Sequence, residues 1–243
     1  MAPPAIAWHH GWPMSLRRVI RDISSVLILS GVLLVADAAV TLLWQEPVTA
    51  AIGTVLRSEV DKRYLSYRTD PLAGVEVQAL NGITSLQERI AYLARLDLRQ
   101  ITTGAAIGQI DIPRVGQTYN MIQGTDTQSL EEGPGHYPST ALPGMGETVA
   151  IAGHRTTYLA PFRFLNDVTT GDRIVVTMPY GRFVYEVQYQ QVVQPSDWGV
   201  TDNVGYDRLV LSACNPLYSA TQRIVVFARL RSVQPLGPAR TSV

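Results

Sequence analysis

Residues Asp207–Arg231 read DRLVLSACNPLYSATQRIVVFARLR, and their pattern decides the fold. Leu209-Val210-Leu211-Ser212-Ala213 is a strand-like run that ends at Cys214, because Asn215-Pro216 cannot continue a hydrogen-bonded ladder. A second strand opens at Arg223, nine residues after Cys214. Along it Ile224, Val226, Ala228 and Leu230 share one face and Arg223, Arg229 and Arg231 the other, the period of two of a half-buried strand. If the two strands pair as a hairpin, the Arg223 guanidinium returns beside the Cys214 thiol. It then points out of the core, into any groove on the outer wall.

The same period extends upstream. Ile107–Ile112, Gln117–Gln123, Thr148–Ala152, Arg173–Met178 and Arg182–Val193 are strand-like, and turn residues cluster between them at Gly133-Pro134-Gly135, Leu142-Pro143-Gly144, Gly171-Asp172 and Pro179-Tyr180-Gly181. Seven or so short strands with few helices predict a mainly β domain, a closed or nearly closed barrel over 105–233. The Pro- and Gly-containing tail 234–243 is expected to be loose. Residues 45–104 read as helical instead. Val48, Ile52, Val55, Leu56 and Val60 recur at helical spacing, as do Leu86, Ile90, Leu93 and Leu96, with a break across Tyr67–Gly82. A helical stalk that lifts the barrel off a membrane is the economical reading.

The membrane enters through residues 23–44, ISSVLILSGVLLVADAAVTLLW, whose one ionisable residue is Asp37. As a helix they would span roughly 33 Å, close to the thickness of a bilayer's hydrocarbon core. Arg17, Arg18 and Arg21 precede them within a tail, 1–22, that carries two surplus positive charges. That flank predicts a cytoplasmic N-terminus, an exported C-terminal part and Trp44 at the outer interface. Asp37 lies toward the outer end, where water lowers the cost of its charge. A cleaved signal peptide is the alternative, with Ile23–Val35 as its apolar region and Ala36-Asp37-Ala38 as a small-x-small site. The apolar run continuing to Trp44 favours a retained anchor, and the basic flank argues against a buried helix of a soluble protein.

The 243 residues are 46% apolar, enough for a sizeable core, and hold 20 basic and 20 acidic side chains. Net neutrality excludes a bulk positive field for gripping nucleic acid. It is a cancellation: a positive tail, Asp37, a balanced helical region, and ten bases against eleven acids after residue 105. Nineteen of the 20 basic residues are arginine, the other being Lys62, a bias that fits a high-GC genome. The single cysteine excludes an intrachain disulfide framework and any cysteine-rich metal cluster. No metal or other cofactor is expected, since His136 and His154 are the only exported histidines and no carboxylate cluster accompanies them at ligand spacing.

A lone thiol kept outside the cytoplasm needs a reason. His154 ends the run Val149–Gly153 as Cys214 ends its own strand. A thiolate can act as nucleophile, an imidazole can exchange protons with it and with a leaving amine, and a guanidinium offers fixed donors to an oxyanion. Cys214, His154 and Arg223 are therefore a complete set for acyl transfer. Each taken alone also fits an ordinary structural position, and spacing does not choose between the two readings.

The segments Ala152-Gly153-His154-Arg155-Thr156-Thr157 and Leu211-Ser212-Ala213-Cys214-Asn215-Pro216-Leu217-Tyr218-Ser219-Ala220, followed by Arg223, resemble the signature segments of sortases. The neighbourhood Gly133–Gly144 and the Ile107–Pro113 strand fit as well, and the Cys-Asn-Pro-x-Tyr-Ser-Ala form is similar to class E sortases of high-GC Gram-positive bacteria. The resemblance covers about residues 105–232. It implies an eight-stranded barrel behind a membrane anchor and a cysteine transpeptidase acting on surface proteins that bear a C-terminal LPxTG-like, or in class E LAxTG-like, sorting signal. By that resemblance Cys214 attacks the Thr–Gly bond, His154 serves as acid and base, and Arg223 supports the oxyanion and holds the substrate. The thioacyl enzyme then passes to a peptidoglycan amine. Trp198 falls in the connection Gln194–Tyr206, which walls the substrate groove in the family. His136, Tyr137, Thr156 and Tyr218 are further candidates for the pocket.

One departure stands out. Sortases usually carry threonine immediately before the cysteine, and here that place is Ala213, after Ser212. If a hydroxyl is missing from the site, Ala213→Thr should leave activity unchanged or raise it. Other cysteine enzymes fit less well: papain-like enzymes place Cys before His, and caspases require Gln-Ala-Cys-x-Gly. The Ser-His-Gly-Cys segment of L,D-transpeptidases is absent. A non-catalytic exported barrel that docks sorting signals, and a sortase that polymerises pilins, remain alternatives.

Overall fold

The computed structural model describes residues 14–43, 47–69 and 72–240, so the expected interfacial Trp44 lies outside the described residues. The chain forms two compact units, Met1–Trp44 and Gln45–Val243. Within the first, α1 (Met14–Leu43) starts nine residues before the expected anchor and takes in the basic flank. Its stretch Leu16–Thr41 is long and apolar enough to cross a membrane, and none of it is buried against protein. By length and composition it is a candidate membrane span.

The second unit is built on a closed barrel. Its strands are β1 (Ala106–Ile112), β2 (Gln117–Gln123), β3 (Gly135–His136), β4 (Thr148–Ala152), β5 (Arg173–Met178), β6 (Gly181–Val193), β7 (Arg208–Asn215) and β8 (Gln222–Pro235). They close in the order β1-β2-β3-β4-β7-β8-β6-β5. Closure gives every strand a partner on both sides over part of its length, so none is an edge strand throughout. The pairs β2–β3 and β4–β7 run parallel and the rest antiparallel. β3 has only two residues and starts at the last glycine of the Gly133-Pro134-Gly135 turn segment, which hides it from sequence.

Strand parity explains where the core sits. Leu209, Leu211 and Ala213 of β7 and Ile224, Val226 and Ala228 of β8 enter the barrel interior with Ile107, Ile151, Phe162 and Phe183. The alternate residues Val210, Val225 and Phe227 are buried too, on the outer wall, with Ala150 and Val193 under Tyr137 and Val200. The connection from β6 to β7, which carries Val200, therefore roofs part of the outer face.

Three helices precede the barrel: α2 (Pro47–Thr69), α3 (Gly74–Asn81) and α4 (Leu86–Gln100). They are not a free stalk. Leu80 of α3 and Ile90, Leu93 and Ala94 of α4 belong to the barrel's own core cluster. Val60 and Tyr64 of α2 bury against Ala106 and Ile122. Of the expected apolar face of α2 only Val60 is buried: Val48, Ile52 and Val55 are exposed, and the packed face runs through Gly53, Val60 and Tyr64. The expected break after Tyr67 contains α3.

Residues 234–240 of the tail are likewise packed against the rest of the unit where looseness was expected. β8 continues to Pro235, Ala239 is fully buried, and the buried Arg89 guanidinium donates to the carbonyls of Leu80, Pro238 and Ala239. Carbonyls collected by a buried cation fix a segment whose composition alone suggests disorder.

Candidate active site

β4 and β7 run parallel with Ala152 opposite Ser212, and the Gly153 amide donates to the Ser212 carbonyl at 3.0 Å. Two residues further along each chain, that register brings His154 to the level of Cys214. On the other side of β7, Cys214 stands directly opposite Arg223. Opposed residues of an antiparallel pair have Cβ atoms on the same face, about 5 Å apart. Three side chains from three adjacent strands therefore meet at one end of the outer wall.

They line one cavity of about 490 Å³ together with Tyr137, Trp198 and Ser212. A smaller cavity of about 120 Å³ adjoins it, sharing Tyr137, Trp198, Ser212 and Arg223. Cys214 is a free, half-buried thiol. Arg223 Nη1 donates to the carbonyls of Ala220 and Gln222, both at 2.9 Å, which fixes the guanidinium at the cavity's edge. Burial pushes the His154 imidazole below its ordinary range, and the charge of Glu131 opposes that shift. The arrangement brings a thiol, an imidazole and a guanidinium to one concave space.

The other sequence candidates divide. Tyr137 and Trp198 line the cavity, and the Tyr137 hydroxyl lies 3.0 Å from Ser212 Oγ. His136 does not: it is buried in the core, its Nε2 donates to the Ala141 carbonyl at 2.9 Å, and its Nδ1 lies 2.8 Å from Gln123 Oε1. Strand alternation turns it inward where Tyr137 turns outward. Thr156 and Tyr218 are also not among the cavity's lining residues. Tyr218 accepts from Arg163 Nη2 at 3.3 Å instead.

At the place before the cysteine, Ala213 is packed with the barrel core and also borders the cavity without a hydroxyl, while Ser212 beside it supplies one there. Arg155, which sequence reasoning passed over, turns its guanidinium to the Cys214 carbonyl at 3.3 Å and to Asn215 and Asn166 at 3.0 and 2.6 Å. It ties the segment after β4 to the end of β7. Its place immediately after His154 was the available signal.

Similarity to known proteins agrees with this geometry. Relatives include sortase D of Bacillus subtilis, 29% identical over 131 residues, and sortase SrtE1 of Streptomyces coelicolor, 29% identical over 148 residues. These matches take in 52% and 54% of this chain and 65% and 42% of the relatives, so less than two thirds of either relative is covered. The solved structure of sortase E from Streptomyces avermitilis is 34% identical with a TM-score of 0.51, covering 56% of this chain and 93% of that one. Sortase E1 from Streptomyces coelicolor, solved with a tripeptide in its active site, is 28% identical with a TM-score of 0.53, covering 54% and 91%. The sortase domain model matches residues 110–231, from within β1 almost to the end of the barrel, and the chain belongs to the sortase family.

Proposed function

We propose that this protein is a membrane-anchored cysteine transpeptidase that cleaves a C-terminal LAxTG- or LPxTG-like sorting signal between Thr and Gly and joins the released protein to a cell-wall amine. The observation that carries the reading is the convergence of Cys214, His154 and Arg223 on one cavity, from strands set side by side by register.

In the first half-reaction the Cys214 thiolate attacks the threonine carbonyl carbon, and the C–O bond's electron pair moves onto oxygen. Arg223 donates to that oxyanion, where fixed donors act with little reorganisation. As the oxyanion collapses the C–N bond to glycine breaks, and the His154 imidazolium gives its proton to the departing amine. A thioester remains on Cys214. In the second half an incoming amine attacks that thioester, His154 takes up its proton, and an amide forms as the thiolate leaves. No redox partner or cofactor enters the balance. Trp198 and Tyr137 flank the groove in which the signal would lie.

The helix α1 serves as a single-pass anchor with its N-terminus in the cytoplasm, a reading supported by Arg17, Arg18 and Arg21 on its N-terminal side. The full chain in detergent should cleave fluorogenic LAxTG and LPxTG peptides and yield a mass-detectable thioacyl adduct on Cys214, both lost in Cys214→Ala. Equal cleavage by wild type and variant, or none by either, would overturn the reading and favour a docking barrel without chemistry.

A further inference from the structure

His154 has a second set of neighbours on the side of the following loop. The Tyr158 ring packs against its imidazole, with centroids 5.6 Å apart and planes inclined by 35°. The Tyr158 hydroxyl donates to Glu131 Oε1 at 3.0 Å. Glu131 lies on α5 (Thr127–Glu132), a short helix capped by Asp126, whose carboxylate accepts from the Ser129 amide at 3.1 Å. The adjacent Glu132 pairs with Arg63 of α2, so the two neighbouring carboxylates are aimed differently and Glu131 is left to Tyr158.

The loop that presents Tyr158 is held in a conformation that side chains resist. Tyr158, Leu159 and Ala160 all have positive φ, at 49°, 64° and 43°. Three consecutive left-handed residues persist only where their surroundings over-determine them. Here the surroundings are α2 and β2. The Tyr158 amide donates to Thr49 Oγ1 at 3.3 Å, and the Tyr119 hydroxyl donates to the Leu159 carbonyl at 3.1 Å. Gly53 lets α2 approach so closely that a Cβ there would stand 2.9 Å from Leu159 Cγ.

We propose that Glu131 and Tyr158 are a positioning pair for His154, the tyrosine ring setting the imidazole's place and its hydroxyl holding the Glu131 carboxylate where it stabilises the imidazolium. The inference rests on the reading of His154 as the acid and base of the reaction. The groups around His154 are Tyr158 on its own loop, Glu131 on α5, Cys214 on β7 and Arg223 on β8, with Arg155 turned away to Asn166 and Asn215. Within this set Glu131 is the carboxylate. Burial disfavours the charged imidazole, and Glu131 works against that loss. Its hydrogen-bond partner is a neutral hydroxyl, and among the described residues no ion pair joins it to an arginine or lysine. A partly buried histidine that must carry a proton at neutral pH needs such an opposing term.

The test is an NMR titration of the His154 ring in the full chain, in detergent and in a Cys214→Ala background so that the thiol does not couple to it. His154 is assigned by its loss in His154→Gln. Glu131→Gln still accepts from Tyr158 and removes only the charge; it should move the His154 titration to lower pH. Tyr158→Phe keeps the ring and releases the carboxylate, and should move it in the same direction by less. In the cysteine-containing chain Glu131→Gln should lose about fivefold in kcat/KM, on the scale of one hydrogen bond, chiefly in kcat. A His154 titration unchanged or raised in Glu131→Gln overturns the proposal, even if activity falls. A wild-type chain that cleaves no sorting peptide would sink the transpeptidase reading, while the titration would still decide whether Glu131 acts on His154.

Discussion

Cys214 and Arg223 are direct cross-strand partners at the turn end of the β7–β8 hairpin, one pair before the connecting loop. The hydrogen bonds from Arg223 Nη1 to Ala220 and Gln222 hold one arm of the guanidinium in place beside the thiol. Arg223→Ala is therefore expected to lower kcat/KM on sorting peptides by about 10²–10³, the usual cost of losing an oxyanion donor. Arg223→Lys should recover little of that, because a point charge on a flexible stem does not reproduce a fixed fork. Thermal unfolding should change little for either variant, the side chain being outside the core. A Lys variant with wild-type rates would show that charge alone suffices.

Gly153 sits immediately before His154, and a Cβ added there would meet Phe162 Cδ2 at 2.6 Å and Cγ at 2.8 Å. Phe162 is fully buried in the main core, and its amide donates to the His154 carbonyl at 2.9 Å. The ring has no room to retreat, so the strand end must shift. Gly153→Ala should cost about 1–3 kcal/mol in denaturant unfolding, the range for overpacking. It should also lower kcat more than ten-fold, since a displacement of about 1 Å at a reacting group is that costly. Unchanged activity alongside lost stability would separate the core's demand from the site's.

Much of this was legible in the sequence, and the misses share a cause. The parity of Ile224, Val226 and Ala228 against Arg223 read correctly because alternation is a local property of a strand. The closed barrel followed from the density of strands and turns. What failed depends on partners distant in sequence. The packed face of α2 keeps Val60 of the expected set and adds Gly53 and Tyr64, while the apolar Val48, Ile52 and Val55 remain exposed. The tail is held by Arg89, some 150 residues away, and composition carries no trace of that contact. His136 looked like a ligand to the cavity, yet a two-residue strand turns it inward. Glu131 and Tyr158 carried no motif, because their relation to His154 exists only once α2 presses the loop into place.

Ala213→Thr now carries a different expectation from the one its sequence position suggests. Ala213 borders the cavity but is packed with the barrel core opposite Ile224, so a threonine there sets its added methyl and hydroxyl against packed neighbours. About 1–3 kcal/mol of stability should be lost in urea unfolding, with no gain in kcat. Ser212 is the residue whose hydroxyl faces the cavity, 3.0 Å from the Tyr137 hydroxyl. Ser212→Ala should accordingly change kcat/KM where Ala213→Thr changes stability. A faster Ala213→Thr enzyme of unchanged stability would restore the simpler reading.

Two desolvated groups give the stability a pH dependence of opposite signs. Burial pushes His136 from 6.5 down to about 4, so between those values the unfolded chain binds a proton that the native state refuses. That term is fully favourable above pH 6.5 and is lost as pH falls to 4, about 3 kcal/mol at its full extent. Asp97, half-buried and accepting from the Tyr67 hydroxyl at 2.7 Å, is pushed by desolvation from 3.8 up to about 6. Here the native state takes the proton first, so stability rises as pH falls through 6 toward 3.8. Burial raises Asp207 with the same sign. The carboxyls therefore offset the histidine in the wild-type chain, and Asp97→Asn should expose it. Urea midpoints at about pH 7 and pH 4.5 should fall further on acidification in Asp97→Asn than in wild type, while a neutral replacement such as His136→Gln should fall less. Equal acid losses in wild type and Asp97→Asn would mean that Asp97 titrates alike in the folded and unfolded chain.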